Sequence, residues 1–222
     1  MTHTVEISSV AQGGHGVARI EGQVCFVRHG LPGDTVRVRI IRSARQVLWA
    51  EIEEVVTPSP HRVPAACAHF ERCGVCTWGH FAYPAQAEWK QRLVLEAFER
   101  IAGFTPELGW QENPELRLGY RTRAEFHGDG KHFGFFAPDS HEIVDMESCP
   151  LCHPRMNTAL AALRHLDLKG TVTVTINPEG EETLVWTRFP QRRLKHRFPL
   201  ANHPKEEGGR ARFFFDGIPI VN

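Results

Sequence analysis

The sequence predicts a β-rich α+β protein in which a small closed β-barrel precedes a larger α+β domain. Residues 4–57 alternate apolar and polar side chains in five short stretches separated by glycines, a pattern typical of small barrels. Three prolines then fall within residues 57–64, where they end the last strand and form a stiff linker. Beyond the linker, one long amphipathic stretch is followed by hairpin signals.

Composition limits the classes of protein to which the chain can belong. With 222 residues, 41% of them hydrophobic and 23% charged, the chain has the composition of a soluble globular protein. No apolar run reaches the ~18 residues of a membrane helix, and the N-terminus has no signal-peptide features. The sequence therefore predicts a cytoplasmic protein that does not act at a membrane.

The charge is balanced, with 26 basic and 26 acidic side chains, so bulk charge cannot drive binding to a polyanion. Positive charge is concentrated locally in two runs that contain no acid. Taken alone, each run is better explained as a solvated face than as a nucleic-acid site. The runs contain Arg37, Arg39, Arg42 and Arg45, and then Arg188, Arg192, Arg193, Lys195 and Arg197.

Prolines and glycines set the predicted boundaries. Turn chemistry at residues 31–34 separates two barrel strands, and the proline-rich linker divides the chain into domains 1–58 and 59–222. In the second domain, apolar residues at helical spacing predict a helix over 84–102, with a proline at its start and Gly103 just past its end.

The rest of the second domain reads as strands and one more helix. Strands are predicted over 118–127 and 131–137, joined by a glycine-rich turn, and a helix over 154–165. Another hairpin is predicted to turn at 178–180. The last stretch, from residue 209, begins like a strand and stops without a closing helix, which favours a chain that continues as a longer enzyme.

Six cysteines in a cytosolic chain indicate metal ligation or chemistry rather than disulfides. Cys67, Cys73 and Cys76 form a C-x5-C-x2-C triplet, and Cys149 and Cys152 follow more than seventy residues later. Zinc ribbons usually have two tight C-x2-C pairs, whereas a triplet with a distant fourth thiolate is typical of ferredoxin-type clusters. The spacing therefore favours a [4Fe–4S] cluster over zinc, with either Cys149 or Cys152 as the fourth ligand.

Four motifs, in order, resemble those of a known family. Residues 14–36 resemble a TRAM domain, an RNA-binding β-barrel of the OB type. The cysteine triplet, residues 120–124 and residues 141–150 then follow the signatures of the S-adenosylmethionine-dependent RNA (uracil-5-)-methyltransferases, most closely those acting on 23S ribosomal RNA. The resemblance runs from residue 5 to residue 200. It implies that a [4Fe–4S] cluster is held by Cys67, Cys73, Cys76 and Cys149.

Two departures from the family pattern bear on function. Val75 and Gly79 stand where the family commonly has glycine and glutamine, which changes the shape of the loop without removing a ligand. The family's S-adenosylmethionine domain, nucleophilic cysteine and carboxylate base all lie C-terminal to the residues present here. Neither Cys25, in a barrel strand, nor Cys152, beside the predicted cluster, is a convincing substitute for the nucleophile.

The resemblance therefore implies the RNA-recognition portion of an enzyme that forms 5-methyluridine in ribosomal RNA. This portion should be inactive alone, because S-adenosylmethionine would bind only in an absent C-terminal domain. The alternatives are a non-catalytic RNA-binding or redox-sensing iron–sulfur module and a zinc-stabilised structural protein. The expected partner is structured RNA, and the expected state is a monomer.

Six residues are candidates for RNA contact. In the barrel, cations beside an aromatic ring would combine phosphate attraction with base stacking, although the position of the ring is also typical of a core residue. In the second domain, three residues alternate along one predicted strand and should share a face, which is equally well explained as a solvated face. The candidates are Arg19, Phe26 and Arg28, and then Arg121, Arg123 and His127.

Overall fold

The computed structural model describes residues 2–178 and 183–187 and the backbone of three short strands nearer the C-terminus. Contacts divide the chain into two units. No helix in the described part of the chain is long and apolar enough to cross a membrane. The first unit contains residues 1–70 and 76–114, and the second contains residues 71–75 and 115–222.

The first unit is built on a six-stranded sheet with an apolar cluster on its inner side. Side chains alternate between this cluster and solvent along each strand, as the pleat of a β-strand requires. The strands are β1 (Thr2–Glu6), β2 (Ser9–Val10), β3 (Gly16–Ile20), β4 (Gln23–Arg28), β5 (Thr35–Ala44) and β6 (Val47–Thr57). The buried cluster consists of Val5, Ile7, Ala18, Ile20, Cys25, Val27, Val36, Val38, Leu48 and Ala50.

The sheet closes on itself through its first segment. The strand order is β1-β5-β6-β4-β3-β2, so β1 and β2 lie at opposite edges although only Ile7 and Ser8 separate them. The Ser8 N–H donates to Val17 O on β3, and the Ile7 N–H donates to Asp34 O next to β5, both at 2.9 Å. A segment that pairs with both edges removes the open edges of the sheet. The prediction of five strands was one too few, because the first segment forms two short strands.

A buried carboxylate joins the barrel to the residues that follow it. Asp34 is fully buried, and it accepts hydrogen bonds from the N–H groups of Leu31 at 2.7 Å and Ser59 at 2.8 Å. It also pairs with the Arg62 guanidinium, which donates to His29 O at 2.9 Å. The predicted linker is thus bound to the barrel. The two contact units accordingly do not divide at the boundary predicted between residues 58 and 59.

The long helix of the first unit, α1, spans Tyr83–Ala102 and confirms the helix predicted over 84–102. Gly103 ends it in the left-handed conformation, with φ at 72°, as is common at helix C-termini. The predicted apolar face is only partly covered, since Phe98 and Ile101 are 41% and 78% exposed.

The second unit packs one helix on a second sheet. The buried face of the helix follows helical spacing, with Met156, Leu160 and Leu163 completely buried. The helix is α2 (Pro154–Arg164), as predicted, and the sheet contains β7 (Arg123–Asp129), β8 (Phe133–Phe136), β9 (Ile143–Asp145), β10 (Lys169–Ile176), β11 (Thr183–Thr187) and β12 (Ala201–Asn202). The order is β12-β11-β10-β7-β8-β9, and a separate hairpin consists of β13 (Arg212–Phe215) and β14 (Ile218–Val221).

Most predicted elements of this unit are present with shifted ends. The strand predicted from residue 118 begins at Arg123, and the predicted pairing on either side of residues 178–180 is the antiparallel pair of β10 and β11. Residues 179–180 of that turn and the basic run at 188–197 lie outside the described residues.

Replacing Asp34 by Ala should destabilise the first unit strongly. The change leaves two buried N–H groups without an acceptor and leaves Arg62 without its carboxylate. Breaking a buried ion pair in this way typically costs about 3–5 kcal/mol. Urea unfolding of the purified chain measures the effect. The matched control is Glu54→Gln, which breaks an exposed ion pair with Arg37 and should cost less than about 1 kcal/mol. Equal losses in the two variants would contradict a central role for Asp34.

Candidate RNA-binding surfaces and cysteine loop

The outer face of the barrel carries a row of aromatic rings. On β4, Cys25 and Val27 point into the core, so Phe26 between them faces outward. Its ring lies 4.8 Å from the ring of Trp49 on β6, and the His15 ring meets Trp49 edge-on at 5.3 Å. Phe26 is therefore a surface residue, and the alternative that it belongs to the core was wrong.

The two predicted barrel arginines differ in their surroundings. Arg19 is exposed on β3, and its guanidinium donates to Gly22 O at 3.1 Å. Arg28 is half-buried at the end of β4, opposite Glu51 of β6 in the sheet register. Arg19 and Arg28 alternate with core residues along β3 and β4, so both side chains lie on the same outer face as Phe26.

Two histidines pack on one phenylalanine ring beside the cysteine loop. The rings of His29 and His80 lie 4.5 and 4.8 Å from that of Phe70, and His80 Nε2 contacts His29 O at 2.8 Å. Burial, and then nearby charges such as Arg28, lower the pKa of His29 to about 3. Burial, and then the charge of Arg62, lower the pKa of His80 to about 4. Sequence reasoning missed this cluster, because thirteen scattered histidines give no spacing signal.

The departure from the family pattern at Gly79 has a local structural reason. A Cβ atom at this position would lie 2.9 Å from the Phe70 ring and 3.1 Å from Cys76 Sγ. Glutamine therefore does not fit this loop as it is folded here. Gln86 of α1 instead reaches the loop, where its side-chain N–H₂ donates to Trp78 O at 3.1 Å and Phe81 O at 2.7 Å.

In the second unit, Cys73 and Cys149 border one apolar core and are buried. The Asn157 side chain holds the Cys149 backbone by accepting from its N–H at 2.9 Å and donating to its carbonyl at 3.1 Å. A hydrogen bond between the Cys149 and Cys152 thiols, with burial, raises the pKa of Cys152, and the same bond lowers the pKa of Cys149 to about 6. The two sulfurs are neighbours, so the structure does not choose between them as a fourth ligand.

The predicted metal ligands are distributed over both units. Cys67 and Cys76 are half-exposed residues of the first unit, whereas Cys73 and Cys149 belong to the second. All six cysteines are free thiols. Among the residues that the structure describes, no group of three or more His, Cys, Asp or Glu side chains is arranged to hold a metal ion. The four-cysteine site therefore stays a prediction.

The outer face of β7 contains two of the three predicted contact residues. Arg123 is exposed, and His127 lies two positions beyond Glu125 on the same face. The His127 ring is stacked on Phe136, with centroids 3.7 Å apart, and burial lowers its pKa. Arg121 departs from the prediction that all three share this face, because its guanidinium lies 5.9 Å from the buried Phe135 ring.

Residues 2–52, from β1 into β6, match the family model described as the TRAM domain. A Gloeobacter violaceus protein named as an uncharacterized RNA methyltransferase is 39% identical over 173 residues, 74% of this chain. The Methylococcus capsulatus 23S rRNA (uracil(1939)-C(5))-methyltransferase RlmD is 35% identical over 166 residues, 72% of this chain. The chain is a relative of the 23S rRNA (uracil-C5)-methyltransferases. It spans 38% of the length of each of these two proteins.

A solved structure supports the fold. The Pyrococcus abyssi tRNA (uracil-54, C5)-methyltransferase, in complex with S-adenosyl-L-homocysteine, superposes with a TM-score of 0.69 and 18% sequence identity. The match covers 99% of this chain and 59% of the archaeal one. At this identity the likeness extends to the fold and no further.

Acid should destabilise the first unit through its buried histidines. His80 has a folded-state pKa near 4, below the ordinary value of about 6.5, so the unfolded chain binds its proton first as the pH falls. The loss of stability begins near pH 6.5 and is complete below about pH 4. For His80 alone we expect about 2 kcal/mol less stability at pH 5 than at pH 7.

Urea unfolding at the two pH values tests this expectation. His80→Gln should reduce the difference between pH 7 and pH 5, whereas His141→Gln, at an exposed residue, should leave it unchanged. A pH dependence that is the same in all three proteins would show that His80 is not the titrating group.

Proposed function

We propose that this chain is the RNA-recognition portion of an S-adenosylmethionine-dependent RNA methyltransferase that forms 5-methyluridine in ribosomal RNA. The observation that carries the proposal is a TRAM match at residues 2–52 continued by similarity to RlmD over nearly three quarters of the chain. In this proposal the protein acts in the cytoplasm, as a monomer, on structured RNA.

The proposed role of the chain is to bind and shape an RNA loop so that the target uracil leaves its stack. Unstacking is unfavourable and is offset by contacts elsewhere on the RNA. On the barrel, Phe26 offers a ring for stacking, with Arg19 and Arg28 on the same face for phosphates. On β7, Arg123 supplies charge, while His127 is mainly neutral near pH 7 and offers a hydrogen-bonding edge.

The catalytic thiolate and the methyl donor would come from outside the described residues. Cys25 is a core residue of the barrel, and burial raises the pKa of its thiol. The pKa of Cys152 is also raised, by its bond to Cys149 and by burial. A nucleophile that adds to uracil C6 must be an accessible thiolate, which neither of these two residues provides.

We also propose that Cys67, Cys73, Cys76 and Cys149 hold a [4Fe–4S] cluster. Four free thiols are donors of the right chemistry. Gly79 leaves room beside Cys76, and Gly74 lets the backbone after Cys73 donate to Phe136 O at 3.0 Å. When bound, such a cluster would fix the loop through iron–thiolate bonds.

The purified chain should bind ribosomal RNA fragments without methylating them. Incubation with labelled S-adenosylmethionine and an RNA fragment should incorporate no label, whereas the Methylococcus capsulatus RlmD serves as the positive control for the assay. Filter binding measures RNA affinity in the same samples. Label in uracil would overturn the claim that this chain only recognises RNA, and absence of RNA binding would overturn the proposed function itself.

Anaerobically purified chain should be brown and contain about four irons. Cys149→Ser should lose iron and colour, because it removes a thiolate ligand, while Cys25→Ser in the barrel core should keep both. Cys152→Ser distinguishes between the two candidates for the fourth ligand. It should keep iron and colour, because the proposed ligand is Cys149. Iron content and visible absorbance are measured for each variant. Stoichiometric zinc without colour would contradict the cluster.

A further inference from the structure

The hairpin that joins β5 to β6 ends in an unfavourable turn. Ala44 pairs with Val47, so the turn consists of only Arg45 and Gln46. Both have positive φ, at 51° and 66°. Turns of this kind strongly prefer Asn-Gly, because side chains crowd the backbone in the left-handed region. Residues kept in such a conformation without glycine point to a use for their side chains.

The arginines along this hairpin are not equivalent. Arg37 pairs with Glu54, and Arg39 pairs with Glu51 at 2.8 Å and Glu53 at 3.5 Å. Those two arginines have their charge balanced across the strands. Among the described residues, Arg42 and Arg45 have no carboxylate within ion-pair distance. The positive charge that remains available therefore lies at the tip of the hairpin.

This charge lies next to the aromatic row. Arg42 is directly opposite Trp49 in the register of β5 and β6, so both are on the outer face. Trp49 is in turn opposite Phe26 on β4, and their rings are 4.8 Å apart. Half-buried rings on a barrel face present π surfaces on which unpaired bases can stack.

The end of the barrel near the hairpin tip has an excess of positive charge. β4 and β6 are parallel and start together, with Val24 opposite Val47, so the turns that precede them are neighbours. Arg19 is opposite Val24 and adds a third cation to Arg42 and Arg45. Glu21, in the turn before β4, is the acid of this group. Three cations and one acid give this group a net positive charge, which favours binding of a polyanion.

We propose that the hairpin tip and the aromatic row form a binding site for single-stranded RNA, with bases stacked on Trp49 and Phe26 and phosphates bound by Arg42 and Arg45. Single-stranded RNA is favoured over a duplex because a duplex hides the faces of its bases. The proposal rests on the proposed function, since it specifies which part of an RNA the barrel binds.

The charge contribution is tested with a fluorescent 12-nucleotide oligouridylate and the purified chain. In Arg42→Gln/Arg45→Gln, the slope of log affinity against log salt should become shallower by about 1.4, the value for two lost contacts to a single strand. The matched control, Arg37→Gln/Arg39→Gln, removes the same charge from the same hairpin and should leave the slope nearly unchanged. Equal effects of the two pairs would overturn the site.

The stacking contribution is tested by Trp49→Ala, with Trp110→Ala as the control. Trp110 is also in the first unit and is 40% exposed. Loss of one stacked base should weaken oligouridylate binding roughly 5- to 150-fold in the first variant, with no change in the control. If Trp49→Ala unfolds, Trp49→Leu keeps an apolar side chain at the position and should show the same loss. Unchanged affinity in a folded Trp49 variant would overturn the proposal.

The turn itself gives a readout that a structural role would not produce. Arg45→Asn/Gln46→Gly installs the preferred turn residues and should raise the melting temperature while it weakens RNA binding and the salt slope. A gain in stability with unchanged binding would show that Arg45 does not contact RNA. If the wild-type chain binds a ribosomal RNA fragment and the variants at Arg42, Arg45 and Trp49 bind RNA as tightly, this site is wrong and the proposed function stands. Wild-type chain that binds no RNA would defeat both.

Discussion

The buried carboxylate of Asp34 is the contact on which the first unit depends. It accepts hydrogen bonds from a turn of the barrel and from the chain after β6, and it balances the charge of Arg62. Arg62 is thereby placed to donate to His29 O, the same carbonyl that His80 Nε2 contacts. Burying a charge is tolerable only when all of its partners are present. The turn, the linker and the histidine cluster are therefore ordered together.

Aromatic side chains of the first unit hold part of the cysteine loop through contacts that involve no metal. Phe70 and Phe81 are buried. The indole N–H of Trp78 donates at 3.2 Å to the carbonyl of Gly14, in the barrel loop between β2 and β3. In the sequence, residues 65–82 have no apolar period of their own. The described contacts show that aromatic anchors already hold this part of the loop, whatever the ligands of its cysteines.

The regular elements were predictable because local chemistry specifies them. Alternation along β3 to β6 predicted the barrel, and a proline at the start and Gly103 at the end predicted α1. Features that depend on register were not predictable. The run of four arginines over residues 37–45 looked uniform, and the cross-strand glutamates that neutralise Arg37 and Arg39 are known only once β5 and β6 are aligned. The sequence also did not reveal that Arg121 leaves the face of Arg123 and His127. Arg121 precedes β7 and turns toward Phe135.

The strand order of the barrel has a consequence for how the chain folds as it is made. β6 is the last barrel strand to leave the ribosome, yet it lies in the middle of the sheet, paired with β5 on one side and β4 on the other. The hairpin of β3 and β4 can form early from local contacts, while β1 waits for β5 some thirty residues later. Until β6 arrives, the facing edges of β4 and β5 have no partner in the sheet. The nascent barrel is thus most open to misassembly just before β6 emerges from the ribosome, and a pause in translation at that stage would prolong the exposure.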